Sequence, residues 1–435
     1  MIEVIGKYTT ARIYADTIED GVIEQVKDIV DCKAFDGQKV VCMPDVHVGA
    51  SGPCGLVATI GDYVCPEHIG VDIGCSVSMM VLNKPIPKDK YAVFETFVKT
   101  NIPFGFDVNK EYAYADKLHF ISFLSNGFKK YKACWDALCG LPDEVSEEWV
   151  GEQLNRIGIG EDFFYQSLGS VGGGNHFIEY DEGDGVYGVT LHFGSRNFGK
   201  KVCEYWMKQA ESALTKQEVH SLTLEFKDSY KGDMRDFKKN LDVFLESKKG
   251  GYIDGYLHGD KMRGYLCDMC FAQLYAQFNH MVVQERIENM LRGYLHISVD
   301  RVITSVHNFI DLQDHTLRKS AIRSYNGEEM LVPFNMRDGV AICEGLSNEE
   351  WLNSCAHGAG RKMSRKVAFE KVSLEEFRET MKDVYSTTVC EGTIDESPMA
   401  YKDTTEIKDL IQATCKVKHM LVPKINIKAV STKRY

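Results

Sequence analysis

The sequence predicts an α/β (α+β) chain folded as one unit, and three observations predict it. β-type runs occur at both ends of the 435 residues, with long helical patterns between them. No Pro/Ser-rich linker, low-complexity tract or fixed-period repeat divides the chain, and only 10 prolines are present. Hydrophobic residues make up 44% and charged residues 26%, enough apolar material for a substantial core.

The elements follow in order. KVVCMPDVHVG, GLVATIGDYV and SVSMMVLNK, all before about Lys90, alternate short apolar runs with turns and read as strands. Residues 91–166 carry longer, charged patterns and read as helical. Residues 167–200 return to glycine-punctuated strands, with GVTLHFG a strand that ends in a turn. Residues 202–300 are mainly helical; LCDMCFAQLYAQFNHMVVQERIENMLRGYL spaces its apolar residues by three and four over many turns. Residues 301–345 are mixed. SNEEWLNSCAHGAGRKMSRKVAFEKV reads as a helix, a glycine-containing turn and a second helix, and KHMLVPKINIKAV as a late strand.

The formal net charge is −12, which argues against indiscriminate nucleic-acid binding over the whole surface but leaves room for a local basic groove. No run of about 18 apolar residues occurs, so no transmembrane helix is expected. The start, MIEVIGKYTTARIYADTIEDG, lacks a basic stretch followed by an apolar one. A soluble, cytoplasmic protein is therefore expected, with most of its 14 cysteines reduced.

Five segments place a metal-capable or nucleophilic side chain beside glycine, which lets a backbone approach a ligand closely. They are Met43–Gly49, Gly70–Cys75, Gly169–Glu179, Leu191–Arg196 and Ala356–Arg361; Ser305–Asn308 is a plainer sixth. Asp72 and Cys75, three apart across a glycine, can aim at one metal. With His176, His192 and His307 they make five candidate ligands, more than one tetrahedral catalytic zinc needs. Two ions, of manganese, iron or zinc, would use such a set in phosphoryl chemistry.

The run Gly172–His176 reads either as a nest of backbone N–H groups for an anion, with Asn175 and Glu179 binding more of a nucleotide, or as a loose turn. Gly194–Lys200 nearly spells a phosphate loop, but Lys201 stands where Ser or Thr should hold Mg²⁺. Arg196 is better read as a phosphate-clamping fork. His357 reads either as a nucleophile able to form a phosphoramidate, with Arg361 and Arg365 at helical spacing holding phosphate oxygens, or as a helix cap with solvated arginines. Cys267 and Cys270 form one CxxC pair without a second, which does not suggest structural zinc. Cys42, Cys54 and Cys65 fit no common finger spacing.

Taken together and in order, MPDVHVG, GVDIGCSV, LGSVGGGNHFIE, LHFGSR, VHNF, SCAHGAGRKMSR, SPMAYKD and the late Lys428 resemble the RtcB family of RNA ligases, which join RNA ends using GTP and manganese. The resemblance implies a single RtcB-like fold over residues 1–435, strand-rich segments around a metal cleft, and a helical insertion at 202–300. It implies two Mn²⁺, one on Asp72, Cys75 and His176, the other on Cys75, His192 and His307. By the same resemblance His357 is guanylylated by GTP. Asn175, His176, Phe177, Ile178, Glu179, His307, Asn308, Pro333, Phe334, Asn335, Met336, Gly358, Ala359, Gly360, Tyr401 and Lys428 would surround the nucleotide with His357. Asp45, His47, Arg196, Arg361 and Arg365 match positions near RNA phosphates.

The implied reaction opens a 2′,3′-cyclic phosphate to a 3′-phosphate, activates it with GMP from His357 and joins it to a 5′-hydroxyl, in RNA repair or tRNA splicing. An activating protein partner is a further possibility. The chain departs from the family pattern at SGPCGLVAT after the first motif, at Phe334 where a glycine is usual, and in the seven residues after Lys428. Two other readings stand beside ligation: guanylylation or cyclic-phosphate opening without sealing, and a non-catalytic, metal-stabilised RNA-binding or toxin-associated protein.

Overall fold

A computed structural model of the chain describes residues 1–112, 114–211, 214, 216–248 and 252–430. Two large sheets organise it. The first runs, in spatial order, β1 (Ile2–Ile5), β2 (Thr10–Ile13), β3 (Val40–His47), β4 (Cys54–Thr59), β12 (Thr316–Lys319) and β11 (Phe309–Ile310). The second runs β10 (Val299–Val306), β6 (Ser76–Leu82), β8 (Val186–Phe193), β7 (Phe177–Gly183), β17 (Cys415–Lys428), β15 (Gly339–Gly345) and β14 (Glu329–Asn335). Two small ribbons join β13 (Ala321–Arg323) to β16 (Ser354–Ala356), and β5 (Tyr63–Val64) to β9 (Leu257–His258). Apart from the parallel pair β2–β3, the pairings within these sheets are antiparallel.

The helices are α1 (Val22–Val30), α2 (Tyr91–Asn101), α3 (Tyr114–Lys132), α4 (Glu147–Ile157), α5 (Glu161–Gln166), α6 (Arg196–Ala210), α7 (Lys216–Ser229), α8 (Phe237–Lys248), α9 (Gly259–Met290), α10 (Arg365–Lys371), α11 (Leu374–Thr380) and α12 (Thr404–Ile411). The mixed α/β architecture is the one the sequence predicts. Every residue of β6 is buried: Met79–Leu82 run apolar without alternation, as in a strand covered on both faces, and the buried Ser76 and Ser78 hydroxyls are satisfied by His280. The 32-residue α9 is buried on most of its circumference. Its Phe271 and Tyr275 pack on Phe198 of α6, with ring centroids 4.6 and 5.2 Å apart. Among the described residues no helix is long and apolar enough to cross a membrane.

Two readings of the sequence need correction. Residues 301–345 resolve into strands β10 to β15 rather than a mixed segment. A helix before Ala356 does not form: Glu349–Trp351 makes a single 3-10 turn, and Ser354–Ala356 is β16. Leu352 and Asn353 take φ of 51° and 48°, and that left-handed pair stops the turn from propagating as a helix. The mainly helical stretch starts earlier than expected, at Arg196, and β9 interrupts it to pair with β5.

Candidate active site

The candidate ligands meet because neighbouring antiparallel strands end together. Val306 of β10 pairs with Ser76 of β6, and Ser76 pairs with Phe193 of β8. His307, just past β10, Cys75, just before β6, and His192, near the end of β8, therefore share one edge of the sheet. His176 immediately precedes β7, whose Phe177 pairs with His192. The backbone N–H of His307 donates to the Cys75 carbonyl at 2.8 Å and ties two of these stretches together.

Within that edge, donor atoms of Cys75, His176 and His192 all lie within 4.8 Å of one another. Asp72 Oδ2 is 2.9 Å from His176 Nε2, and Cys75 Sγ is 3.5 Å from the same nitrogen. The Nε2 atoms of His192 and His307 face each other at 3.3 Å. Two ring nitrogens so placed hold at most one proton between them, and a cation that accepts both lone pairs removes the conflict. Burial drives both imidazoles well below their ordinary pKa, so they are neutral, the form that binds metal. Burial and the adjacent Asp72 push the Cys75 thiol well above its ordinary range; a coordinated cation would ionise it. The donor set thus fits metal ions.

His357 follows β16, and its ring centroid is 4.9 Å from that of His307. Asp45, fully buried on β3, accepts a hydrogen bond from His357 Nδ1 at 2.7 Å. That contact fixes the tautomer and leaves Nε2 with a free lone pair. His357 borders a cavity of about 420 Å³, a size suited to a small organic ligand. Asn175, Phe177, Glu179, Pro333 to Met336, Gly358 to Gly360, Tyr401 and Lys428 line it, as do His47, Arg361 and Arg365.

One buried carboxylate anchors the cationic side of this cavity. Glu396 accepts from Lys428 Nζ at 3.1 Å and from Tyr401 at 2.8 Å, and it also pairs with Arg365 and Arg361. Burial would raise its pKa, yet Lys428, Arg365 and Arg361 hold it well below the ordinary carboxylate range. On β7, next to the strand that carries Lys428, two acids lie close together. Burial and Asp181 raise Glu179, and burial pushes Asp181 up to about 8.

A family model described as "RtcB: tRNA-splicing ligase RtcB" matches residues 25–429. The chain belongs to the RtcB family. Among curated RtcB proteins, the RNA-splicing ligase RtcB of Escherichia coli strain K12 is 29% identical over 381 residues, covering 84% of this chain and 83% of that protein. The tRNA-splicing ligase RtcB of Nanoarchaeum equitans is 24% identical, covering 92% and 89%. The RNA-splicing ligase RtcB of Mycobacterium tuberculosis is 22% identical, covering 84% and 90%.

Several residues singled out by the RtcB resemblance sit elsewhere than expected. Ile178 is fully buried in the core beneath β7; side chains alternate along a strand, so Phe177 and Glu179 face the cavity and Ile178 faces away. Asn308, at φ 61°, braces the metal-side turn instead of lining the cavity. Its Nδ2 donates to the Asp72 carbonyl at 3.2 Å, and its carbonyl accepts from Gly74. Asp45 is buried and turned to His357. Arg196 is occupied by Ser170 Oγ and by the Gly105 and Asp107 carbonyls, so its fork already has partners. Arg361 and Arg365 do not share a helical face: Arg361 bridges to Tyr401 before the Ser364 cap, and Arg365 opens α10. They converge on Glu396 regardless.

Sequence reasoning missed Glu396 and Asn279. Glu396 stands directly before SPMAYKD, so proximity to that motif was the available signal. Asn279, on α9, accepts from the backbone N–H groups of Gly169 and Ser170 at 2.7 and 3.2 Å. It donates to the carbonyls of Ser170 and Gly194 at 3.0 and 3.2 Å. It thereby fixes both glycine loops that flank the ligands, and a helix-interior asparagine gives no local hint of such a role.

Proposed function

We propose that this chain is an RNA ligase, dependent on GTP and Mn²⁺, that works as one catalytic unit. It joins RNA 3′-phosphate or 2′,3′-cyclic phosphate ends to 5′-hydroxyl ends through GMP carried on His357. The observation that carries the reading is the His357–Asp45 pair. It presents an imidazole of fixed tautomer to a nucleotide-sized cavity, one ring away from a metal-fitting cluster.

Asp72, Cys75 and His176 would hold one Mn²⁺, and Cys75, His192 and His307 the other. Bound there, the ions would offset phosphate charge. The protein's own residues do the rest. Asp45 keeps the proton on His357 Nδ1 and stabilises the positive ring as Nε2 bonds to the α-phosphorus of GTP and pyrophosphate leaves. Glu179, Tyr401 and Lys428 hold the nucleotide, with Asn175, Phe177 and the Pro333–Met336 wall beside it. Arg361 and Arg365 lie on the same cavity and supply cationic forks for phosphate oxygens. The RNA 3′-phosphate then takes GMP from His357, and the 5′-hydroxyl displaces GMP from the activated end. That last step depends on positioning two RNA ends at one site.

The test is incubation with GTP and Mn²⁺ followed by peptide mass analysis. A GMP adduct on the His357 peptide, absent from His357→Ala, is expected. No adduct on the wild type, or one that survives His357→Ala, would refute the reading. End-labelled RNA separates sealing from capping alone: a sealed product is expected, and a 3′-capped product without sealing would assign nucleotidyl transfer only.

A further inference from the structure

The cavity wall carries one nucleophile that the reaction above does not use. Cys54 opens β4, directly opposite His47, the last residue of β3, and both side chains line the cavity. His47 and Ser320 line the same cavity as the thiol, and Lys319 stands next to Ser320 in the chain. Lys319 is 7% exposed, and its Nζ is held by the carbonyls of Ser51 and Glu67 at 2.9 and 3.0 Å. Among the described residues it makes no ion pair within contact distance, and Cys54, Cys65, Glu67 and Cys203 are the ionisable groups around it.

The other ionisable groups around the thiol are Asp45, behind His47, and Glu19 and His357 on the cavity wall. Burial alone would raise the Cys54 pKa; His47, Lys319 and Ser320 outweigh it and bring the thiol down to about 6. His47 is raised in return against the cost of its own burial, as an imidazolium beside a thiolate should be.

We propose that Cys54 is a covalent modification site for low-molecular-weight disulfides, which form a mixed disulfide inside the cavity that His357 lines. The Cys54 thiolate attacks one sulfur of the disulfide. A new S–S bond forms to Cys54 as the original S–S bond breaks. The second sulfur leaves as a thiolate and takes a proton from the His47 imidazolium or from water. Cys54 is oxidised and the departing thiol is the reduced product. The adduct occupies space that a nucleotide would need.

The test uses Mn²⁺-loaded protein, oxidised glutathione and peptide mass mapping, and its readout needs no ligase activity. At pH 6 a thiol of pKa about 6 is roughly half ionised, against about 0.3% for an ordinary thiol, and its lower intrinsic nucleophilicity returns about tenfold of that gain. Cys54 is therefore expected to be modified about tenfold faster than the exposed Cys134 and Cys139, with a rate inflection near pH 6. Cys54→Ser should remove the adduct, and His47→Gln should slow wild-type Cys54 modification at pH 6 by about tenfold. An unmodified Cys54 peptide while Cys134 and Cys139 react, or an inflection above pH 8, would overturn the proposal. Wild-type mapping decides the matter even if a variant fails to fold.

Discussion

At the residue scale, Asp45 and Glu396 act through other side chains. Asp45 bonds His357 Nδ1 with Oδ2, while its Oδ1 is buried without a partner. Asp45→Asn keeps the shape but loses the charge that holds the tautomer. It should lower the rate of guanylylation by roughly 10²–10⁴-fold with little change in melting temperature, as read by single-turnover adduct formation. Glu396 lies among three cations. Removing its charge in Glu396→Gln leaves the buried Lys428, and with it Arg361, without a carboxylate partner, while Arg365 keeps Asp395, and should cost about 3–5 kcal/mol in a denaturant titration at pH 7. Its carboxyl is held below the ordinary range when folded, so the stability it contributes is present above about pH 4 and is lost as pH falls further. The gap between wild type and Glu396→Gln should therefore shrink on acidification below pH 4; a gap independent of pH would contradict this account of Glu396.

At the element scale, the site is an edge of the second sheet braced from behind by α9. Gly194 shows how tight that edge is. A Cβ there would collide with Asp72 Oδ1 and approach the Cys75 Cα to 2.8 Å. Gly194→Ala should displace two candidate ligands and weaken Mn²⁺ binding about 10–100-fold by equilibrium dialysis. Asn279→Ala would leave the buried N–H groups of Gly169 and Ser170 unsatisfied and should cost roughly 2–4 kcal/mol of unfolding free energy. These elements differ in how far they could be read from sequence. Strand β6 was legible because Met79–Leu82 form an unbroken apolar run, and α9 because its spacing persists over many turns. The segment before Ala356 was not: the left-handed residues Leu352 and Asn353 override a helical-looking composition. Arg361 and Arg365 show the same limit, since a spacing of four means a shared face only where a helix exists.

At the scale of the whole molecule, the two sheets contribute different parts of one site. The first sheet brings Asp45, His47 and Cys54; the second brings the candidate metal ligands, Glu179 and Lys428. Glycine contexts singled out Asp72, Cys75, His176, His192 and His357 one segment at a time, because close backbone approach leaves a local trace, whereas His307 lies in a stretch without glycine. The Asp45–His357 pair spans 312 positions and leaves none, so only the folded chain reveals it. We expect Cys75 to be shared between two cations beside His357. Anomalous diffraction from Mn²⁺-soaked crystals tests it most directly. Two peaks within bonding distance of the Cys75 sulfur, one towards Asp72 and His176 and one towards His192 and His307, are the predicted result. Peaks that all lie beyond coordination range of that sulfur would contradict it.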